Sequence, residues 1–268
     1  MQGDFHSVFK GSGLEFDDVR DYQYGDDVRS IDWNVSAKGQ GTFVKTFKEE
    51  KEQNIFFLLD VSGSQYIGKP DQQKIDIGKE ICGVLTFSAI KENSSVGLMC
   101  FSNQREKYMK PRKGIKHAFE MLGEMFKLKP TSLKTNLNKA MSSALSIIKR
   151  RSLMIIISDF VDENYEHHLK AIAKKHDLVV IHLADPRETM LPSVGIVPLF
   201  DKETNKTIWI NSSSDVFQKK MKILFDQKKD SIEKLCRQNK ASYLFINTEE
   251  DYVNKLIKLF KIRNSGRK

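Results

Sequence analysis

Three oxygen-bearing side chains, Asp60, Ser62 and Ser64, are crowded into the short stretch Asp-Val-Ser-Gly-Ser. The two hydroxyls stand two residues apart, so both can face one concavity, and Gly63 between them frees the backbone to turn. A carboxylate with neutral hydroxyls suits a hard divalent cation such as Mg²⁺ or Mn²⁺. Such an ion keeps several waters and leaves room for an acidic group of another protein to complete its sphere. Farther along, Thr135 lies in the polar stretch Thr131–Leu137 ahead of a helical pattern, and Asp159 ends the apolar run Leu153–Ile157. If the two apolar runs are neighbouring strands, all five oxygens meet at one edge of a sheet.

The element that must carry Asp60 is Ile55–Leu59, five apolar residues without polar alternation. That pattern suits a strand covered on both faces, as in a parallel sheet between helices. Similar strands are expected at Val96–Phe101, Leu153–Ile157, Leu178–Leu183 and Tyr243–Ile246, with a short edge strand at Glu106–Met109. Helical spacing predicts helices at about 71–91, 117–128, 140–148 (closed by Arg150 and Arg151), 166–176, 216–238 and 252–262. Strands alternating with helices give an α/β fold with a doubly wound, mostly parallel sheet, whose ligand site falls at the carboxyl ends of the strands.

Two regions do not follow that alternation. Residues 1–50 mix acidic residues with Arg20 and Arg29 and with the aromatic and apolar anchors Phe16, Tyr22, Tyr24, Ile31, Trp33 and Phe43. They are expected to form an irregular, partly β extension packed on the core. Asp26 and Asp27 are expected to be structural partners of Arg20 and Arg29 rather than an acid/base pair. Residues 187–211 are expected to be an irregular insertion with a β-hairpin, Gly195–Phe200 against Lys206–Ile210, joined by Asp201–Asn205. The division is therefore 1–50, a domain at 51–262 and a basic tail at 263–268.

Composition narrows the function. The 268-residue chain carries a formal net charge of +9, but its lysines are spread along the carboxyl-terminal helices as solvated faces, so nucleic-acid binding is not expected. An anchor on nucleic acid or an anionic membrane through those helices is the weakest of the alternatives. No apolar run is long enough for a membrane-spanning helix, and Met1–Lys10 lacks the core of a signal peptide. Cys82, Cys100 and Cys236 are odd in number and widely spaced, which fits a reducing, cytoplasmic compartment. The six histidines show no metal-ligand spacing. Neither a phosphate-binding Gly-x-x-x-x-Gly-Lys-Ser/Thr loop nor a Gly-x-Ser-x-Gly elbow is present.

Asp60-Val61-Ser62-Gly63-Ser64 resembles the Asp-x-Ser-x-Ser element of the metal-ion-dependent adhesion site of von Willebrand factor A-like domains, with Thr135 and Asp159 matching its other two elements in order. Gly13-Leu14-Glu15-Phe16, Arg20, Tyr22, Gly25-Asp26-Asp27, Arg29, Ile31-Asp32-Trp33, Ser36-Ala37-Lys38 and Val44-Lys45 leading to Glu49-Glu50 are similar to the bacterial family called domain of unknown function fifty-eight. That resemblance implies a protein-interaction module encoded beside a MoxR-type AAA ATPase, with that ATPase or its client as partner and a chaperone-like or complex-maturation role. Two departures stand out: Gln65 replaces a usual methionine, and Leu133-Lys134 replace glycines before the threonine, which sets an ammonium, that of Lys134, beside the expected cation. Members often carry a basic or apolar segment upstream, so the resemblance implies a truncated form here.

The simplest alternative is that Asp-Val-Ser-Gly-Ser is only a helix cap and turn. The enzymatic alternative is a Mg²⁺-dependent phosphohydrolase with Asp60 as nucleophile. Ser62 argues against it, because an aspartate is expected two residues after such a nucleophile to handle the leaving group.

Overall fold

In the computed structural model, which describes residues 14–39, 41–49, 53–189, 192–201 and 206–265, the apolar run becomes β3 (Asn54–Asp60), and Ile55–Leu59 are at most 1% exposed. Burying each of these side chains contributes about 1.5–3 kcal/mol. The remaining strands of its sheet are β6 (Ser95–Phe101), β7 (Arg105–Arg112), β8 (Leu153–Ser158), β9 (Asp177–Ala184) and β12 (Ser242–Asn247). The sheet order is β12-β9-β8-β3-β6-β7, parallel throughout except for β7, which pairs antiparallel at the edge. The chain leaves β3 for β6 on one side and later returns to β8 on the other. Asp60 therefore lies where the strand order reverses, the place at which open α/β sheets leave a crevice.

Alternate residues of β3 serve two cores. Ile55, Phe57 and Leu59 pack with α2 (Lys74–Lys91), α3 (Ile115–Lys127) and α7 (Tyr252–Ser265). Phe56 and Leu58 pack with α4 (Leu137–Ile147), α5 (Glu166–Lys175) and α6 (Asp215–Gln238). Covering both faces is what permits an unbroken apolar strand. Gly78 sets how closely α2 can approach. A Cβ there would lie 3.1 Å from Leu59 Cδ1 and 3.4 Å from Leu183 Cδ1.

Several expectations need correction at element ends. Helix α2 begins at Lys74 rather than near Asp71, because a small hairpin, β4 (Gly68–Lys69) with β5 (Gln72–Gln73), intervenes and Asp71 takes φ 61° at its tip. The short edge strand is the full eight-residue β7. Its Pro111 is tolerated because an edge strand needs fewer donors, and it seats over Gly97, where a Cβ would meet the ring at 2.7 Å. Arg150 and Arg151 lie beyond the end of α4, which is capped at Ile148.

The amino-terminal residues form a separate two-stranded sheet, β1 (Leu14–Asp21) with β2 (Phe43–Glu49), joined through α1 (Trp33–Ser36). Ile31 is buried and bridges to Val44, but the expected anchors Tyr22, Tyr24 and Trp33 are exposed, Tyr24 completely. A two-stranded ribbon has too little surface to cover them. Asp26 forms a two-pronged ion pair with Arg20, 2.7 and 2.8 Å, while Asp27 accepts from the backbone N–H of Arg29 and caps a turn. The expected hairpin is β10 (Ile196–Asp201) with β11 (Lys206–Asn211). Its connection at 202–205, Gly11 and Gly13, the link 50–52 and the tail beyond Ser265 lie outside the described residues.

Replacing Gly78 by Val would force α2 away from Leu59 and Leu183. Urea denaturation is expected to show a loss of about 1–3 kcal/mol for Gly78→Val; an unchanged midpoint would mean that the helix does not seat on this glycine.

Candidate functional site

Asp60 closes β3 with no exposure at all. One carboxylate oxygen, Oδ1, accepts from the backbone N–H of Ser62 at 3.0 Å, and Oδ2 accepts from the Ser158 hydroxyl at 2.6 Å. The Ser62 and Ser64 hydroxyls are 3.2 Å apart, so the sequence spacing does bring them together. Asp159 follows β8 and is 2% exposed. Its Oδ1 accepts from the backbone N–H of Val161 at 3.1 Å, and its carboxylate also interacts with the Ser64 hydroxyl. Asp60, Ser62, Ser64 and Asp159 thus form one connected cluster.

Thr135 is half-buried in the loop between α3 and α4. The backbone N–H of Gly63 donates to the Leu133 carbonyl at 2.7 Å, which holds that loop against the Asp60–Ser64 turn. Glu106 of β7 anchors the loop from the other side, accepting from the backbone N–H groups of Thr131 at 2.9 Å and Ser132 at 3.2 Å. Burial works against the Glu106 charge, but the Ser102 hydroxyl and these donors outweigh it and lower its pKa. Asp162 then ties the turn after β8 to the start of α4 by accepting from the Leu137 N–H at 2.6 Å. Between them, Phe160 sits fully buried at φ 55°. A left-handed non-glycine residue costs about 1–3 kcal/mol and persists only where its surroundings hold it.

The structure also places a cation here that the sequence reasoning missed. Lys74, the first residue of α2, is completely buried, and its Nζ lies 2.6 Å from Asp159 Oδ2 and 2.5 Å from Glu188 Oε1. Glu188 belongs to a 3₁₀ turn, Pro186–Glu188, just after β9. Residues 74 and 78 share a helix face, so the close seating of α2 through Gly78 points Lys74 across the strand ends. The ammonium expected beside the site was that of Lys134; that residue is exposed, and Lys74 takes the position instead. One signal in the sequence was available: a lysine opening a helix opposes the macrodipole and needs a reason to be there.

Charge is unevenly distributed over this cluster. Burial, together with the neighbouring Asp159 carboxylate, pushes Asp60 up to about 7. For Asp159 burial acts in the same direction, but the Lys74 ammonium prevails and holds its carboxyl below the ordinary range. Burial would lower Lys74, yet Asp159 and Glu188 together raise it, so it stays a cation. Beside the cluster lies a cavity of about 270 Å³ that Asp159, Glu188 and His182 share with the apolar Leu224 and Phe225 and with half-buried Lys228 of α6. Among the described residues, no group of three or more His, Cys, Asp or Glu could hold a metal ion. Any cation at this edge depends on the hydroxyls.

A model of the family described as "Protein of unknown function DUF58" matches residues 18–230. The chain belongs to that family. An uncharacterized protein of Mycobacterium tuberculosis strain H37Rv is 30% identical to this DUF58 chain over 207 residues, which cover 76% of the chain and 65% of the relative. The match thus spans slightly less than two thirds of that relative's length. Among solved structures, BatB from Bacteroides thetaiotaomicron superposes with a TM-score of 0.51 at 14% identity, covering 81% of this chain and all of that one. The similarity is one of fold, and the fold is von Willebrand factor A-like, a mostly parallel sheet flanked by helices. The SpRpn10 VWA domain aligns more loosely, with a TM-score of 0.44 at 12% identity over 77% of this chain and 94% of its own.

His182 on β9 completes the wall of the cavity. Its ring lies among Phe160, Tyr243 and Phe245, with Nδ1 2.8 Å from the Tyr243 hydroxyl, and burial lowers it to about 4. Because the folded value lies below the ordinary 6.5, the neutral ring's contribution is complete above pH 6.5 and is lost as pH falls toward 4. Wild type is expected to lose roughly 3 kcal/mol more stability than His182→Gln across that interval. Parallel stability curves for the two proteins in urea titrations would show that the ring is not buried in its neutral form.

Proposed function

We propose that this DUF58 chain is a non-enzymatic protein-interaction module. Asp60, Ser62, Ser64, Thr135 and Asp159 would hold a Mg²⁺ or Mn²⁺ ion, and a carboxylate of a partner protein would complete the site. The observation that carries this is the pair of buried carboxylates, Asp60 and Asp159, linked to the paired hydroxyls of Ser62 and Ser64. The donor set fits a hard cation: oxygens alone, with one carboxyl pushed up to about 7 by burial and by a like-charged neighbour whose repulsion a cation would relieve. When bound, the ion would supply a positive point for a partner's acidic side chain. The protein's own part is to orient the oxygens, through Ser158 on Asp60 and through Leu133 and Glu106 on the Thr135 loop.

Residues 51–262 are the interaction domain in this reading, with 1–50 as its extension. The family resemblance points to a MoxR-type AAA ATPase, or its client, as the partner in a chaperone-like or complex-maturation role. A reducing, cytoplasmic setting agrees with three free, buried cysteines and with the finding that, among the described residues, no helix is long and apolar enough to cross a membrane. The phosphohydrolase alternative is disfavoured because Ser62 stands two residues after Asp60, where an aspartate is expected to handle the leaving group.

Calorimetric titration of Mg²⁺ and Mn²⁺ is expected to show saturable binding to wild type that is lost in Asp60→Ala. Both Asp60→Ala and Ser62→Ala should remain folded but lose cation-dependent capture of the partner ATPase. Capture that survives both substitutions and a chelator would refute the proposal, and turnover of phosphomonoesters would favour the hydrolase.

A further inference from the structure

The Lys74 ammonium belongs to none of the five expected site residues, yet it is fully buried and bridges Asp159, one of them, to Glu188, which is not. A lysine in that place is costly on two counts. An ammonium taken out of water loses its hydration, and one at the first position of a helix faces the positive end of the dipole. A purely structural core position would be filled more stably by an apolar side chain. The placement calls for a role in the charge of the site.

Counted as ionised groups, Asp60, Asp159 and Glu188 bring three negative charges and Lys74 one positive, so a single divalent cation cancels the remainder. Lys228, half-buried in the same cavity, then leaves a positive potential toward an arriving anion. Remove Lys74, and the same cluster with a divalent cation keeps a net negative charge. That would hold the metal more strongly and repel a carboxylate. Resting on the proposed metal-dependent capture, we propose that Lys74 is a built-in counter-cation that weakens metal binding in order to let the metal-loaded site accept a partner's carboxylate, so that metal and acidic partner bind cooperatively. The two affinities are then coupled reciprocally, and Lys74 sets the coupling.

The test uses the full chain, stripped of metal, with Mn²⁺ followed by calorimetry and with glutarate as the carboxylate probe, its binding to the Mn²⁺-loaded protein read from the relaxation of water protons. Lys74→Met is expected to bind Mn²⁺ about tenfold more tightly and glutarate about tenfold more weakly than wild type. A merely structural lesion would weaken both. Glu188→Gln, which leaves the Lys74–Asp159 pair in place, serves as the second variant and is expected to shift both affinities in the opposite directions, weaker for Mn²⁺ and tighter for glutarate. If wild type binds Mn²⁺ and neither variant shows this divergence, the role of Lys74 is overturned while the metal site stands. If none of the three proteins binds Mn²⁺, the metal site itself falls, and the role of Lys74 with it.

Discussion

One ammonium without access to water, that of Lys74, joins three separate parts of the chain: the start of α2, the turn after β8 and the turn after β9. Its attraction to Asp159 and Glu188 offsets the loss of hydration only because the contacts are short and two carboxylates share the single charge. Removing one partner from such a buried pair typically costs about 3–5 kcal/mol, since the other charge is left unpaired. The start of α2 and the carboxyl ends of β8 and β9 are therefore fixed relative to one another before any ligand arrives. The distribution of charge follows from the same contact. With Asp159 kept ionised by Lys74, the neighbouring Asp60, already raised by its burial, also bears the repulsion of that carboxylate.

Around that contact the fold supplies rigidity in proportion to burial. β3 sits between β6 and β8 with helices on both faces, so Asp60 extends from a strand that has no freedom to shift register. The Thr135 loop has no such support from its own sequence and is held by outside partners, Gly63 on one side and Glu106 on the other. Phe160 shows the cost of this arrangement: its left-handed backbone is retained because its ring fills the core next to Tyr165 and His182. Strain, buried charge and hydroxyls collect at this strand edge, in Phe160, Lys74, Ser62 and Ser158. Such clustering is typical of a working surface.

The outlying β-ribbons behave differently. The β1–β2 and β10–β11 pairs are each two-stranded, and aromatic residues such as Tyr24, Trp33, Phe200 and Trp209 remain exposed on or beside them. Local pattern could place the β10–β11 hairpin, because alternation and turn residues are properties of neighbours along the chain. Burial could not be foreseen there, since it depends on whether a second layer covers the ribbon.

The sequence by itself determined the central architecture and which carboxylates and hydroxyls meet at the candidate site. An unbroken apolar run requires cover on both faces, so Ile55–Leu59 implied helices on each side of a parallel sheet, and polar residues directly after two such runs placed Asp60 and Asp159 at a common edge. The spacing of Ser62 and Ser64 was enough to bring their hydroxyls together, because it acts within a single turn. Only the tertiary structure decided which cation lies beside them. Lys74 and Glu188 are 114 positions apart, and nothing in the local pattern of either marks it as the other's partner. Their meeting depends on the depth at which α2 seats through Gly78 and on the turn after β9, long-range packing that no local periodicity encodes.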